Sequence, residues 1–372
     1  MEDANSWLTL AHAPTLHAAH VRGLDPGESP LALLEASPAR RAALGLGAGA
    51  ARALSRPDRA AIDADLRWLA GATNRSLVRW GEAAYPPLLA QIHDAPLVLF
   101  VEGDAQVLGR PQLAVVGTRH PTPLGRETAA RFAAHLAAAG LAVTSGLALG
   151  IDAAAHRGAV QAGGRTVAVM GRGLDAIYPR ENASLAARIV GTGGVLVTDI
   201  PTGIGPLKSN FPRRNRILSG LTVGTLVVEA ALHSGSLITA RLALEQGREV
   251  FAIPGSIHNT VARGCHRLLR DGARLVETVA DICEELGPIV GEIGRFVPPA
   301  AVIGVGSDPP ALDKEYEILL DAVGFEPAAF DQIVARTGLA TAAVASMLLI
   351  LELDGRIQQE PGGRYGRRLP GR

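Results

Sequence analysis

The sequence is poor in cysteine, lysine and aromatic residues, and it carries no net charge. Its two cysteines, Cys265 and Cys283, form no Cys-x-x-Cys pair and stand in no metal-ligand spacing with histidine. That excludes a disulfide framework and a structural zinc site, and leaves a reduced chain without metal or cofactor as the expectation. Lys+Arg and Asp+Glu each number 36, which rules out a basic coat that would hold nucleic acid over the whole surface. No apolar run reaches the ~18 to 20 residues of a membrane span. Met1 to Trp7 is polar, unlike a basic-plus-apolar leader, so a soluble cytoplasmic protein with no membrane partner is expected. Only two lysines occur, Lys208 and Lys314. Nearly all other positive charge is arginine, whose planar fork suits phosphate, although an Ala/Arg/Gly-rich composition also follows from genomic base bias.

What is present is bulk apolar material: 372 residues, 48% hydrophobic and 19% charged, enough for two or three well-buried domains. Ala/Leu-rich helical patterning over the first hundred residues predicts a small helical domain at 1–80. From Leu113 onward, short continuous apolar runs alternate with helical stretches: 113–117, 141–144, 166–170, 195–198, 225–229 and 249–253 read as strands. Such strands between helices mean a parallel sheet covered on both faces. The expected fold is α/β, with a doubly wound, Rossmann-like domain at 81–286. A Pro/Gly-rich linker is expected at 287–312. Three helical patterns at 314–323, 327–336 and 341–353, followed by a hairpin, give a winged-helix-like domain at 313–372. In its third helix the stretch Ala342 to Met347 carries no charge for a phosphate, so packing or partner binding suits it better than sequence reading.

In a doubly wound sheet, ligands bind beyond the carboxyl ends of the strands. Gly117-Thr118-Arg119, Ser145 to Gly150, Gly171-Arg172-Gly173 and Pro254-Gly255-Ser256 all fall there. Charge balance is global, but imbalance is local. Lys208, Arg213, Arg214 and Arg216 crowd the run KSNFPRRNR, opposed only by Asp199 nearby. Arg119, the backbone amides of Ser145 to Gly150 and this run each suit a phosphate, which together describes a track for a polyanion. Phe211, in the middle of the run, has two readings of equal standing: a stacking platform for an unpaired base, or a packing staple of the helix that Pro212 begins.

Other chemistries fit less well. A Gly-x-Gly-x-x-Gly cofactor turn is approximated at Gly171, but Pro179 stands where its helix should run, and neither lysine follows the glycine that a phosphate-loop NTPase needs. Asp152 and His156 share a helix face, and with His233 and Glu229 they suggest acid/base work. Yet Asp152 equally serves as a helix-dipole partner, and no serine or cysteine has the context of an activated nucleophile. No catalytic residue is assigned.

The stretches AVVGTRHPTPLG, SGLALGIDAAAHRGAV, GRGLDAIYPREN, SNFPRRNRILSGL and VVEAALHSGSLITARLALEQGREVFAIPGSIHN make the chain resemble DNA-processing protein A, the DprA/Smf family. The resemblance runs densely from Tyr85 to Thr278. It implies a non-enzymatic protein that binds single-stranded DNA on a Rossmann-like domain, forms a homodimer and helps load the RecA recombinase in transformation and recombination. Position by position, it implies DNA contacts at Arg119, Lys208 and Phe211. Ser145, Gly146, Gly150, Asn210, Arg213, Arg214 and Arg216 fall in the same family segments. Arg172 stands where the family usually has threonine and adds a cation. Asp199-Ile200 replaces Glu-Tyr, and Ala13-Pro14-Thr15 replaces a helix-hairpin-helix Gly-Ile-Gly. The alternative is a nucleotide-cleaving enzyme related to the phosphoribohydrolases. Val223-Gly224-Thr225 to Glu229 only partly matches that group's motif, lacking its glycine pair and placing the acid one residue too far.

Overall fold

The computed structural model describes residues 2–293 and 314–368. The chain divides into two compact units, one on each side of residue 300.

The first unit opens with helices α1 (Glu2–Ala11), α2 (Ala18–Val21), α3 (Ala32–Glu35), α4 (Pro38–Ala43), α5 (Ala48–Ser55) and α6 (Arg59–Ala70). Trp7, Leu8, Leu10, Leu33, Leu54 and Ile62 turn inward from them. The Asp58 side chain accepts the Ala61 amide and so caps α6, satisfying an amide that has no partner within the helix. The expected boundary at residue 80 is not a break in packing. Strand β1 (Arg75–Arg79) lies before it and pairs with β2 (Val98–Gly103), and one apolar cluster runs from Trp7 through Phe100 to Leu268. A polar tie reinforces it: the fully buried carboxylate of Asp65 in α6 accepts from the amide and hydroxyl of Thr202 at 2.8 and 2.7 Å and lies 2.6 Å from His12 Nε2.

After α7 (Pro87–Gln91), strands and helices alternate as expected: β3 (Gln112–Val116), α8 (Pro123–Ala138), β4 (Ala142–Ser145), α9 (Ile151–Gln161), β5 (Thr166–Val169), α10 (Ala183–Gly191), β6 (Val195–Thr198), α11 (Asn210–Gly220), β7 (Gly224–Val227), α12 (Ser236–Glu245), β8 (Glu249–Ala252), α13 (Arg263–Arg270) and β9 (Arg274–Leu275). The sheet order is β1-β2-β6-β5-β4-β3-β7-β8-β9. From β6 to β9 the strands are parallel, and β2 and β1 form an antiparallel edge. Strands β3 to β7 are buried at every position, the physical reason they read as unbroken apolar runs.

Helix α14 (Val279–Ile293) corrects the expected start of the linker at Gly287. Thr278 and Asp281 cap its first turn reciprocally, and Ile282 and Leu286 bury one face, so the helix is anchored before Gly287 is reached. Residues 294–312 of the expected linker lie outside the described residues.

The second unit comprises α15 (Lys314–Val323), β10 (Ala328–Ala329), α16 (Phe330–Thr337), α17 (Thr341–Leu353), β11 (Ile357–Glu360) and β12 (Arg364–Arg367). Leu319, Val323, Ile333, Val344, Leu348, Leu351 and Ile357 form its core. The helical pattern expected from Pro327 begins only at Phe330, because Ala328 and Ala329 pair with Tyr365 and Arg364 as a third strand of the wing.

Candidate nucleic-acid interface

Three strand ends converge on one cleft. After β3 the chain turns through Gly117-Thr118-Arg119. The Thr118 amide donates to Glu229 O at 2.7 Å, and Thr118 O accepts from the Ile151 amide at 3.2 Å. Gly150, at φ +83°, lets the start of α9 press on this turn: a Cβ there would lie 2.4 Å from Thr118 O. The backbone clamp fixes the base of the turn while Arg119 itself stays exposed.

After β4, Gly146 leaves room for a buried arginine, since a Cβ would meet the Arg214 guanidinium at 2.0 Å. Arg214 is 5% exposed. One guanidinium nitrogen donates to Val169 O, and its Nε has no hydrogen-bond partner among the described residues. Burial lowers its pKa to about 10, with Asp152 acting in the opposite direction, so the group remains a cation at neutral pH. After β5, Gly171 lies against the edge of Phe211. Arg172 is held by Asp175 at 3.4 Å and by Gly173 O at 3.2 Å.

Helix α11 supplies the remaining wall. Phe211 is half-buried, with the Arg119 guanidinium carbon 5.5 Å from its ring centre and the Tyr178 ring at 6.0 Å, tilted by 47°. Arg119, Gly146, Ala148, Leu149, Gly171, Arg172, Tyr178, Pro179, Phe211 and Arg214 line a cleft of about 460 Å³, counting its open mouth. Three guanidinium groups and two aromatic rings in one concavity can take phosphate and base together.

The other expected residues separate from this group. Lys208 is exposed on the loop leading into α11 and has no ion pair among the described residues. Arg213 stands half-exposed and pairs with Asp199 at 3.0 Å. Arg216 donates to the same Asp199 oxygen, at 2.6 Å, but is buried, 9% exposed at the side chain, with Asp94 O as further acceptor. Asn210 is buried and holds Gly205 O at 3.2 Å. Ser145 is fully buried, its hydroxyl donating to Val115 O at 2.7 Å.

The expected amide cradle after β4 is partly spent. Asp152 accepts from the Gly146 and Ala148 amides at 3.1 and 3.4 Å. Its carboxyl is driven above the ordinary range first by burial, with Arg214 opposing. An internal carboxylate therefore stands where a phosphate would have used those amides.

The acid/base candidates are likewise committed. His156 is fully buried, its Nδ1 2.7 Å from the Thr166 hydroxyl, and burial draws its pKa down to about 3. Both oxygens of Glu229 meet Thr122, at 2.6 and 2.9 Å, behind the cap of α8 that Thr122 forms on the Gly125 amide. This contact joins the turns after β3 and β7, the two strands at which the strand order reverses and beside which a dinucleotide sits in folds of this kind. Among the described residues no group of three His, Cys, Asp or Glu could hold a metal ion, and no single helix is long and apolar enough to cross a membrane.

Sequence reasoning missed Tyr178 and Asn182. Asn182 donates to Leu147 O and Ala148 O at 2.9 and 3.2 Å, fastening the 178–182 turn to the one after β4. Their only sequence signal is their place in Tyr-Pro-Arg-Glu-Asn, and contacts between separate turns leave no trace in spacing.

The family described as DNA recombination-mediator protein A matches residues 76–287, and the DprA winged helix domain matches residues 306–363. Protein Smf of Escherichia coli (strain K12) is 45% identical over 316 residues, covering 84% of this chain and 83% of that protein. The DNA processing protein DprA of Streptococcus pneumoniae is 45% identical over 201 residues, 54% of this chain and 71% of that one. The solved structure of that Streptococcus pneumoniae protein superimposes with a TM-score of 0.65 at 34% identity, over 76% of this chain and 97% of that one. DNA processing protein A from Helicobacter pylori, a structure concerned with a single-stranded DNA binding mode, gives 0.52 at 28% identity, over 58% of this chain and 96% of that one.

Proposed function

Since the chain belongs to the DNA recombination-mediator protein A family, we propose that it binds single-stranded DNA in the cleft over the carboxyl ends of β3, β4 and β5. The observation that carries this reading is the convergence of Arg119, Arg172, Arg214 and Phe211 on one concavity. Phosphates take the guanidinium groups. Lys208, free on its loop, and half-exposed Arg213 extend the track beyond the cleft. Residues 81–286 form the binding region, and the winged-helix-like residues 313–372 serve a partner rather than base reading. Family membership supports a further role: a cytoplasmic homodimer that protects incoming strands and hands them to the RecA recombinase in transformation or recombination, without catalysis.

The test is titration of the full chain with fluorescent oligo-dT over a salt series. Affinity should fall steeply with salt, because each neutralised phosphate releases a counterion and gives a log–log slope of about −0.7. Arg119→Ala should weaken binding and flatten that slope. Unchanged affinity in both Arg119→Ala and Phe211→Ala would mean that the strand runs elsewhere. The hand-over role is tested by whether the protein speeds RecA filament formation on strands already coated with a single-strand binding protein.

A further inference from the structure

We propose that Tyr178 is a base-contacting residue of the cleft, the ring whose open face receives an unpaired base; this rests on the single-stranded DNA reading above. Tyr178 is 42% exposed. It is the one aromatic side chain with large exposure among residues 2–293, where the other rings are buried or half-buried. Its hydroxyl makes no hydrogen bond among the described residues, and its ring contact is with Phe211. A large aromatic surface left in water without a polar tie adds little to folding and is the kind of surface a ligand covers.

Phe211 is less free to serve alone. The Arg119 guanidinium sits 5.5 Å from its centre. Gly171 approaches so closely that a Cβ would lie 3.0 Å from Cδ1. With its flanks engaged, Phe211 acts as the wall of the cleft, and the accessible stacking face passes to its neighbour.

The turn that carries Tyr178 is anchored. Asn182 ties it to Leu147 O and Ala148 O, so presenting the ring costs little ordering on binding. Leu149, 39% exposed, lies on the same cleft lining and offers apolar surface beside it. Arg119, Arg172 and Arg214 face the same space for the adjoining phosphates.

The experiment compares oligo-dT with an abasic oligonucleotide of equal length and charge, using wild type, Tyr178→Phe and Tyr178→Ala in the full chain. Tyr178→Phe keeps the ring and should bind both strands within about twofold of wild type. Tyr178→Ala should weaken oligo-dT binding by about tenfold, the scale of one lost base stack, and leave the abasic strand unchanged. Ultraviolet cross-linking of a 5-bromodeoxyuridine strand should attach to the peptide that contains Tyr178. Unchanged oligo-dT affinity in Tyr178→Ala, or an equal loss on both strands, overturns the proposal while leaving the functional reading standing. Failure of wild type to bind either strand overturns that reading and the proposal with it.

Discussion

Helices α11 and α17 are both places where a nucleic acid would be sought, and they invert the usual rule of inside and outside. In α11, a polar helix, Arg214 and Arg216 are buried at 5% and 7% exposure. In α17, an apolar helix, Leu349, Ile350 and Leu353 stand in water at 58%, 44% and 79%. A guanidinium enters the interior only where fixed acceptors wait for it, as Asp199 and the carbonyls of Asp94 and Val169 do here. An apolar side chain stays outside when the core behind it is already filled, as Val344, Leu348 and Leu351 fill that of the second unit. Positive charge in a run of sequence is thus no measure of positive charge on the surface. Of the four cations flanking Phe211 in sequence, Lys208 has no ion pair among the described residues, Arg213 is half-exposed and paired with Asp199, Arg214 lines the cleft and Arg216 is structural.

The sharpest way to break this contrast is to remove the structural arginine. Arg216→Ala leaves Asp199, 2% exposed at its side chain, with only Arg213 as an ion-pair partner among the described residues, and should cost about 3 to 5 kcal/mol of stability, read as a lower urea midpoint. A neutral result would show that the interior position of Arg216 is incidental. Phe211→Ala, three residues before buried Arg214, should act on binding instead. It removes the wall against which Tyr178 and Arg119 rest and is expected to weaken oligo-dT binding by no more than the scale of one lost base stack, about 1 to 3 kcal/mol, by fluorescence titration, with a much smaller stability change than Arg216→Ala.

A third measurement probes the charge beside Arg216 through pH. His17 has its pKa lowered to about 4, first by burial and then by His20, with Arg216 among the smaller causes. The unfolded chain therefore binds more protons between pH 6.5 and about 4. This contribution is whole above 6.5 and is lost as pH falls through that window. Asp152 is shifted the opposite way, so the informative quantity is the difference between wild type and His17→Asn. The wild type should lose roughly 1 to 2 kcal/mol more than the variant on acidification, allowing for screening of a half-buried group. Equal pH profiles would remove His17 from the account. The smallest effect is expected in α17: Leu353→Lys should change stability by no more than about 0.5 kcal/mol, measured by thermal unfolding. A large loss there would reveal that the exposed face is covered in solution.

Much of the fold was legible because burial on both faces writes itself into sequence as unbroken apolar strands, and cover by helices as the period between them. β3, β4 and β5, with their glycine turns, could be read this way, and so could Lys314–Val323 and Thr341–Leu353 in the second unit. Parts of the cleft were legible for a related reason: Arg119, Gly146 and Arg172 stand at strand ends, and strand ends in a parallel sheet share one edge. Less legible were positions whose fate depends on contacts distant in the chain. Asp65 and Thr202, 137 residues apart, tie the helical residues to the sheet. Asp94 and Asp199 draw Arg216 inward, and Asp152 takes amides that the turn after β4 otherwise offers to an anion.

Hydrophobic periodicity and turn chemistry, both local, therefore dictated that this chain builds a doubly wound sheet with a three-helix, winged second unit, and that Arg119 and Arg172 stand at the carboxyl ends of its strands. Which of those cations face solvent was decided in three dimensions. Desolvating a charge is costly enough that its direction follows from the nearest fixed acceptor, and the sequence does not record that distance. The same holds for the aromatic pair. Phe211 was visible inside its basic run, whereas Tyr178 became its neighbour only when Asn182 fastened a second turn across the sheet edge.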